Sequence, residues 1–253
     1  MSMNRLVRVS ALALTFAALP VLSGCGGNPF TPKIDPIHTL PKDAPPNDSP
    51  QNTMIRFQEA YQYQDIGQYT GLLTADFRYT FSAQSDGNLV TLYGNNWGKD
   101  DESESAKHLL TGFTNSVGTY YPPANNISIQ FINDQYYQWP LHADSTSFYV
   151  YCPVSTVNLN IDVPVDGGGS TTYNISAPHS FYLVRGDAAF LDAGQPADST
   201  HWYIQHWDDL SPKLPVAVLQ IASTNAAVGS SGSSGATTTA RVSWGGLKDS
   251  YRR

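Results

Sequence analysis

Residues 57–79 read Phe57-Gln58-Glu59-Ala60-Tyr61-Gln62-Tyr63-Gln64-Asp65-Ile66-Gly67-Gln68-Tyr69-Thr70-Gly71-Leu72-Leu73-Thr74-Ala75-Asp76-Phe77-Arg78-Tyr79, and the hydrophobic period changes along them. Met54, Phe57 and Tyr61, with Ala60 beside them, recur at helical spacing. Ser49-Pro50 just upstream reads as an N-cap followed by proline at the first helical position. Asp65 reads as the cap of a short second helix, with Ile66, Tyr69, Leu72 and Leu73 on one face. From Phe77 to Phe81 aromatic and polar residues alternate, which predicts a strand, and Gly87 with Asn88 predicts a loop after it.

Further along, a third helix is expected from about Lys99 to Thr111. Asp100, Asp101 and Glu102 sit in its first turn, where negative charge suits the helix dipole, and Gly112 is its stop. Ala106, Leu109, Leu110 and Phe113 form its apolar stripe. The rest predicts antiparallel strands: Ile127 to Phe131, Phe148 to Cys152, Val157 to Val165, Thr171 to Ile175, Phe181 to Arg185 and Trp202 to Trp207. Asp166-Gly167-Gly168-Gly169-Ser170 reads as a turn. Gly229 to Thr239 reads as a flexible Gly/Ser/Thr/Ala linker, and Trp244, Leu247 and Tyr251 beyond it fall at helical spacing, a latch or a disordered end.

The N-terminus has a different character. Arg5 and Arg8 precede an apolar run from Val9 to Val21, too short for the roughly 20 residues a spanning helix needs and of the length of a secretory signal. Leu22-Ser23-Gly24-Cys25 closes it and resembles the lipobox of bacterial lipoproteins. That resemblance implies cleavage after Gly24 and lipid on the Cys25 thiol, a diacylglyceryl group with a further acyl chain such as palmitate on the new amine. Gly26 follows, not the aspartate that retains enterobacterial lipoproteins in the inner membrane, so the resemblance implies an outer-membrane address facing the periplasm. Residues 26–48 carry Pro29, Pro32, Pro36, Pro41, Pro45 and Pro46 and read as a tether, reaching about 70 Å at about 3.1 Å per residue. The organisation expected is therefore signal peptide 1–24, tether 25–48, folded domain 49–215, and linker with tail 216–253.

Composition narrows the function. The chain of 253 residues carries a formal net charge of -7, more negative once Arg5 and Arg8 leave with the signal, and no cluster of Lys or Arg survives. Nucleic acid is excluded as a partner, because that binding rests on neutralising phosphates. Of its 2 cysteines, lipidated Cys25 leaves Cys152 alone, so no intramolecular disulfide is expected, and Cys152 reads as a buried small hydrophobe. No G-x-S-x-G elbow, phosphate loop or H-E-x-x-H pair occurs. His201 and His206 are an odd number apart, so a regular strand points them to opposite faces; no metal and no cofactor is expected. His108 reads as a helix-boundary residue, paired with Glu104.

Helix, short helix, strand, helix and then a long antiparallel sheet is an α+β order. With Phe57-Gln58-Glu59-Ala60-Tyr61, Asp65 and Tyr69 to Tyr79, it resembles the cone-shaped nuclear transport factor 2 (NTF2-like) superfamily, which includes ketosteroid isomerase and the SnoaL-like polyketide cyclases. Trp97 to Glu102, Trp202 to Leu210 and Trp244 to Lys248 resemble segments of bacterial lipoproteins within it. The resemblance implies N-terminal helices packed on a curved antiparallel sheet. Enzymes of that superfamily act inside the cone through a buried Asp or a His–Asp pair. Asp76 and His179 are the candidate bases here, and Tyr61, Phe77, Tyr79, Phe81, Phe131, Tyr149 and Tyr151 are the candidate pocket. No complete catalytic set follows from spacing. The expectation is a membrane-anchored, non-catalytic binding domain for a small apolar ligand or an envelope protein, with a SnoaL-like lyase or isomerase as the alternative.

Overall fold

In the computed structural model, which describes residues 44–132, 141–143, 148–164, 169–213 and 237–252, the first helix starts at the expected cap. The Ser49 hydroxyl accepts from the Asn52 N–H at 3.2 Å, and α1 (Pro50–Gln62) buries Thr53, Met54, Phe57, Ala60 and Tyr61 along one stripe. Asp65 caps α2 (Ile66–Gly71) through a 2.9 Å bond from the Gln68 N–H. β1 (Leu73–Thr80) follows. Where a loop is expected at Gly87-Asn88, the chain forms a short helix, α3 (Gly87–Tyr93). The amides of Leu89 and Val90 both bond the Asp86 carbonyl, Leu89 is buried, and Tyr93 lies over Phe81 and Trp97. Two turns are too few for a period to declare itself, so packing decides.

β2 (Asn96–Gly98) leads into α4 (Lys99–Thr111), which has the expected bounds. The remaining elements are β3 (Phe113–Thr114), β4 (Tyr120–Tyr121), β5 (Asn126–Ile132), β6 (Leu141–Ala143), β7 (Phe148–Pro164), β8 (Ser170–Gly186), β9 (Asp198–Asp209), β10 (Thr237–Arg241) and α5 (Trp244–Ser250). The runs Phe148 to Cys152 and Val157 to Val165 belong to one strand, β7, with a register shift between Val154 and Val157. β8 likewise joins the two runs on either side of Pro178. In β7 a bulge absorbs the break in alternation that makes it look like two strands.

Among the described residues, eight strands form one sheet, ordered β2-β1-β9-β8-β7-β5, with β10 beside β8 and β6 beside β7. Most ladders are antiparallel; β1 with β9 and β10 with β8 run parallel. The helices pack on it, α1 against β5 and β9 and α4 against β1. This is the expected α+β architecture, helices packed on one mostly antiparallel sheet.

Register places the core. Cys152, Phe181, Trp207, Tyr79 and Trp97 are partners in turn across β7, β8, β9, β1 and β2, and all five are buried. Phe57 of α1 meets this row, its ring centroid 5.4 Å from Trp207 and 5.8 Å from Phe181. One residue over, Tyr151, Tyr182, His206 and Arg78 form the matching row on the opposite face.

Chain on either side of residues 49–215 contacts the domain. The end of the tether lies on the sheet: the Trp202 N–H bonds the Asn47 carbonyl at 2.7 Å, and Arg56 Nη1 bonds the Pro45 carbonyl at 3.1 Å. Residues 237–252, set apart from the domain in sequence, are built into it through β10 and α5. Residues 1–43 with Cys25 and His38, residues 165–168 of the expected turn, and residues 214–236 lie outside the described residues. Among those described, no helix is long and apolar enough to cross a membrane.

Trp207 is 1% exposed and touches five aromatic or imidazole rings. Trp207→Ala should lower stability by about 3–5 kcal/mol in denaturant unfolding, as large-to-small changes in a packed core do; an unchanged midpoint would show that the row is dispensable.

Candidate functional site

Two helices carry a charge on their buried stripes. On α4 the buried side is Glu102, Ser105, Ala106, Leu109 and Leu110, so the carboxylate heads an otherwise apolar or small face. On α5 it is Trp244, Gly245, Leu247, Lys248 and Asp249, with Tyr251 buried at the C-cap, and the ammonium sits amid them. The two charges meet inside the cone. Lys248 Nζ is 2.7 Å from each Glu102 oxygen, with both side chains essentially free of solvent.

Glu102 has further donors. The Tyr69 hydroxyl donates to Oε1, Trp97 Nε1 donates to Oε2 at 3.1 Å, and the Tyr61 hydroxyl donates to that of Tyr69 at 3.0 Å. Burial, reinforced by the Glu102 charge, holds Tyr61 and Tyr69 well above the usual phenol range. The Lys248 ammonium lies 3.7 Å from the centroid of Tyr79 and 3.8 Å from that of Trp207, in the corner formed by two rings at 90° to each other, with Trp244 at 5.1 Å. Burial lowers its pKa to about 8, against the upward pull of Glu102 and Asp209.

A second polar cluster adjoins the first. His179 and Asp209 are cross-strand partners, and both are buried. Their approach is 3.9 Å, from Nδ1 to Oδ1. Trp207 Nε1 donates to His179 Nδ1 at 3.0 Å, so Nδ1 carries a lone pair and the neutral ring bears its proton on Nε2. Nε2 has no hydrogen-bond partner among the described residues. Asp209 accepts from the Tyr79 hydroxyl at 2.9 Å and the Ser211 N–H at 2.8 Å, and also from the Ser211 hydroxyl. Burial pushes His179 down to about 4 despite Asp209. Asp86, also buried, accepts from the Ser243 hydroxyl at the cap of α5, and its pKa is raised to about 6, chiefly by burial. Gly245 makes that seat possible, because a Cβ there would come within 2.5 Å of the Asp86 carboxylate.

The expected site residues divide. Tyr61, Phe77, Tyr79 and Phe81 are core side chains of the interior, and Phe131 packs half-buried against Phe57 and Phe181. Tyr149 and Tyr151 lie on the other face of the sheet, beside Tyr182, as their odd offset from Cys152 requires. Asp76 is exposed and accepts from Gln205 Nε2 at 2.7 Å, away from His179. His108 contacts the Tyr251 carbonyl at 2.6 Å and stacks on Phe113, in place of the expected Glu104 pair. His201 pairs with Asp198, while His206 pairs with Asp208 and stacks on Tyr182. Burial drives the Cys152 thiol far up. No group of three metal-ligating side chains occurs among the described residues.

Sequence reasoning passed over Glu102, Lys248, Asp86 and Asp209. For the first two the signal was present as position, since both stand at i, i+3, i+4 spacing with buried neighbours. One groove of about 450 Å³ lies between α2 and α4 at Ile66, Thr70, Glu104 and His108. Another, about 270 Å³, lies beside β10 at Ile175, Ala177, Lys213 and Arg241. Neither is lined by Glu102, His179 or Asp209; their space is occupied by α5.

The two shifted groups oppose each other with pH. Between 6 and 3.8 the folded chain binds more protons at Asp86 than the unfolded chain does, so this carboxyl favours folding as pH falls through that window. Between 6.5 and 4 the unfolded chain binds more protons at His179, so that imidazole disfavours folding over nearly the same range. Asp86→Asn, which keeps an acceptor for Ser243, should stabilise the chain at pH 8 by about 1–3 kcal/mol, the gain fading as pH falls from 6 to 4. Urea unfolding at both ends of the range reads this, and a pH-independent difference would contradict it.

No protein-family model matches the chain, and no curated protein does. Among solved structures it is similar to a conserved protein from Planctomyces limnophilus, with 11% identity and a TM-score of 0.37 over 62% of this chain and 89% of that one. An NTF2-like superfamily protein from Salmonella enterica serovar Typhimurium gives 10% identity and a TM-score of 0.36 over 65% and 89%. A SnoaL-like polyketide cyclase, so described, from Shewanella denitrificans gives 10% and 0.31 over 63% and 88%. These are likenesses to NTF2-like and SnoaL-like proteins; the fold itself is carried by the strand order and helix placement described above.

Proposed function

We propose that this chain is a lipid-anchored envelope protein whose NTF2-like domain is non-catalytic and binds a small ligand in its cone or an envelope protein. The observation that carries the non-catalytic part is the Lys248 ammonium, seated on Glu102 between Tyr79 and Trp207. The chain's own side chain fills the place where the superfamily resemblance puts chemistry. The His179 geometry adds to this. A general base needs a lone pair directed at substrate. The Nδ1 lone pair accepts from Trp207, and Asp209 is bonded to Tyr79 and Ser211 instead of orienting the imidazole.

The anchor rests on Leu22-Ser23-Gly24-Cys25 behind a basic and apolar leader. At about 0.8 kcal/mol per buried CH₂, two or three acyl chains hold a protein that one would release. Gly26 favours the outer membrane, facing the periplasm, and the proline tether stands the domain off the lipid.

The alternative, a SnoaL-like lyase or isomerase, is favoured by one observation: His179 Nε2 is buried without a partner, as a group awaiting a ligand would be. Asp76, exposed and bonded to Gln205, has no part in that reading.

Fractionation with palmitate labelling in a bacterial host tests the anchor. The wild-type chain should be labelled and sediment with membranes, and Cys25→Ser should be unlabelled and soluble. A Cys25→Ser chain that keeps its label would overturn the lipid assignment.

A further inference from the structure

The chemistry of the interior names a ligand class for that cone, on the reading that it binds. We propose that Glu102, Tyr79 and Trp207 form a receptor for a primary alkylammonium group, filled in this structure by the chain's own Lys248 and open to an amine ligand when α5 gives way.

Three features carry this. First, the parts match the ion. A primary ammonium offers three N–H donors and a compact charge. Glu102 accepts from it with both oxygens at 2.7 Å, and two ring faces stand within 4 Å of the nitrogen. A carboxylate beside aromatic ring faces, here two rings set at 90° to each other, is an arrangement that recognises organic cations.

Second, the parts of the receptor are held by groups outside α5. Glu102 is fixed by Tyr69 and Trp97, Tyr79 by Asp209, and Trp207 by His179. Each of those holding groups lies between residues 69 and 209, whereas the ammonium comes from the last helix. Withdrawing α5 leaves the carboxylate and the rings held by the same bonds, a preorganised site.

Third, the surface vacated with Lys248 suits an alkyl chain. Trp244 lies against Tyr61 and Trp207, with centroids 5.5 Å from each. Trp244, Leu247 and Tyr251 are all buried. A ligand with an ammonium head and an apolar body would replace the Lys248 ammonium and the apolar side chains of the helix, while Ser243, Gly245, Lys248 and Asp249 would give up their bonds to Asp86, Asp209, Ser105 and Tyr93. The docked helix is a tethered competitor, so an amine binds the wild-type chain with an affinity reduced by the small fraction of undocked molecules.

The test uses the full chain. Lys248→Ala removes Cγ, Cδ, Cε and Nζ, the atoms of n-propylammonium, and leaves Trp244, Leu247 and Tyr251 to hold α5. n-Propylammonium chloride should raise the melting temperature of Lys248→Ala in a saturable way, with propanol and sodium propionate inert at matched ionic strength. Its half-saturating concentration should be at least about tenfold lower than for the wild type. Adding Glu102→Gln should abolish the effect. Absence of a saturable, charge-specific rise in folded Lys248→Ala overturns the proposal.

Should Lys248→Ala not fold, hydrogen exchange on the wild-type chain decides. n-Butylammonium or an Nα-acetyl-lysine amide should accelerate exchange of the amides at 244–251 saturably, and neutral butanol should not. A tighter free amine assigns a small-molecule ligand, and a tighter lysyl amide assigns a partner's lysine. If neither competes with α5, Lys248 is a permanent strut and the proposal fails. The membrane assay reads Cys25 and not this site, so the anchor and the amine receptor stand or fall separately.

Discussion

A carboxylate and an ammonium, both removed from water, join the last helix of this domain to α4. Such a pair is not a simple source of stability. Each ion loses hydration worth several kcal/mol, and the attraction between them repays this only where geometry is good and the remaining valences are filled. Here they are filled: Glu102 takes bonds from Tyr69 and Trp97 as well as from Lys248, and the ammonium has ring faces on two sides. What the pair contributes is position. An apolar helix of seven residues can rotate or slide on an aromatic floor at small cost, whereas a buried ammonium has one acceptable place. With Lys248 fixed, Ser243 reaches Asp86 and Gly245 reaches Asp209 at 3.4 Å, so the helix closes over both acids.

The floor under that helix is a consequence of strand parity. Side chains of a strand alternate between faces, so one register fixes two rows at once. The interior row from Cys152 to Trp97 brings four aromatic residues of four different strands into the core, and two of them, Tyr79 and Trp207, stand beside Lys248. The neighbouring row on the other face carries Tyr151, Tyr182 and His206; Tyr182 meets Tyr151 at a tilt, centroids 5.1 Å apart, and stacks on His206 at 5.0 Å. The same rule separates Tyr149 and Tyr151 from the pocket to which their residue type alone would assign them. Residue type nominates an aromatic for a pocket; only the face it occupies decides.

Much of the fold was legible because local chemistry and global packing agree. Ser49, Asp65 and the acidic first turn of α4 mark helix starts by mechanisms that need no partner, and the alternation in β1 and β5 needs only one buried face. What was not legible depends on distant chain. α3 is held by its contact with Phe81 and Trp97, and β10 by a parallel ladder to the far end of β8, a pairing that no local pattern announces. The interior charges were missed for a different reason. Acidic residues at a helix start have a sufficient local explanation in the dipole, and a lysine near a chain end reads as solvated. Glu102 fits its local role and a second one, and the second appears only when its spacing to Ala106, Leu109 and Leu110 is taken as seriously as its charge.

The charges of the interior also constrain what the cone can hold. Among the described residues, with His179 neutral and its Nδ1 occupied, the Lys248 ammonium stands against Glu102 and Asp209, with Asp86 a further carboxylate wherever it is ionised. A low-dielectric space with that imbalance repels a further anion and loses the ammonium that neutralises Glu102 if Lys248 departs alone. An anionic or purely apolar occupant in place of α5 would leave Glu102 charged, buried and unpaired, at a cost comparable to breaking a buried ion pair. A cationic occupant restores the balance. Charge inside the cone is thus a selection rule on ligands, one that follows from Glu102 and Asp209 and holds whether the occupant arrives from solution or, as in this structure, from the same chain.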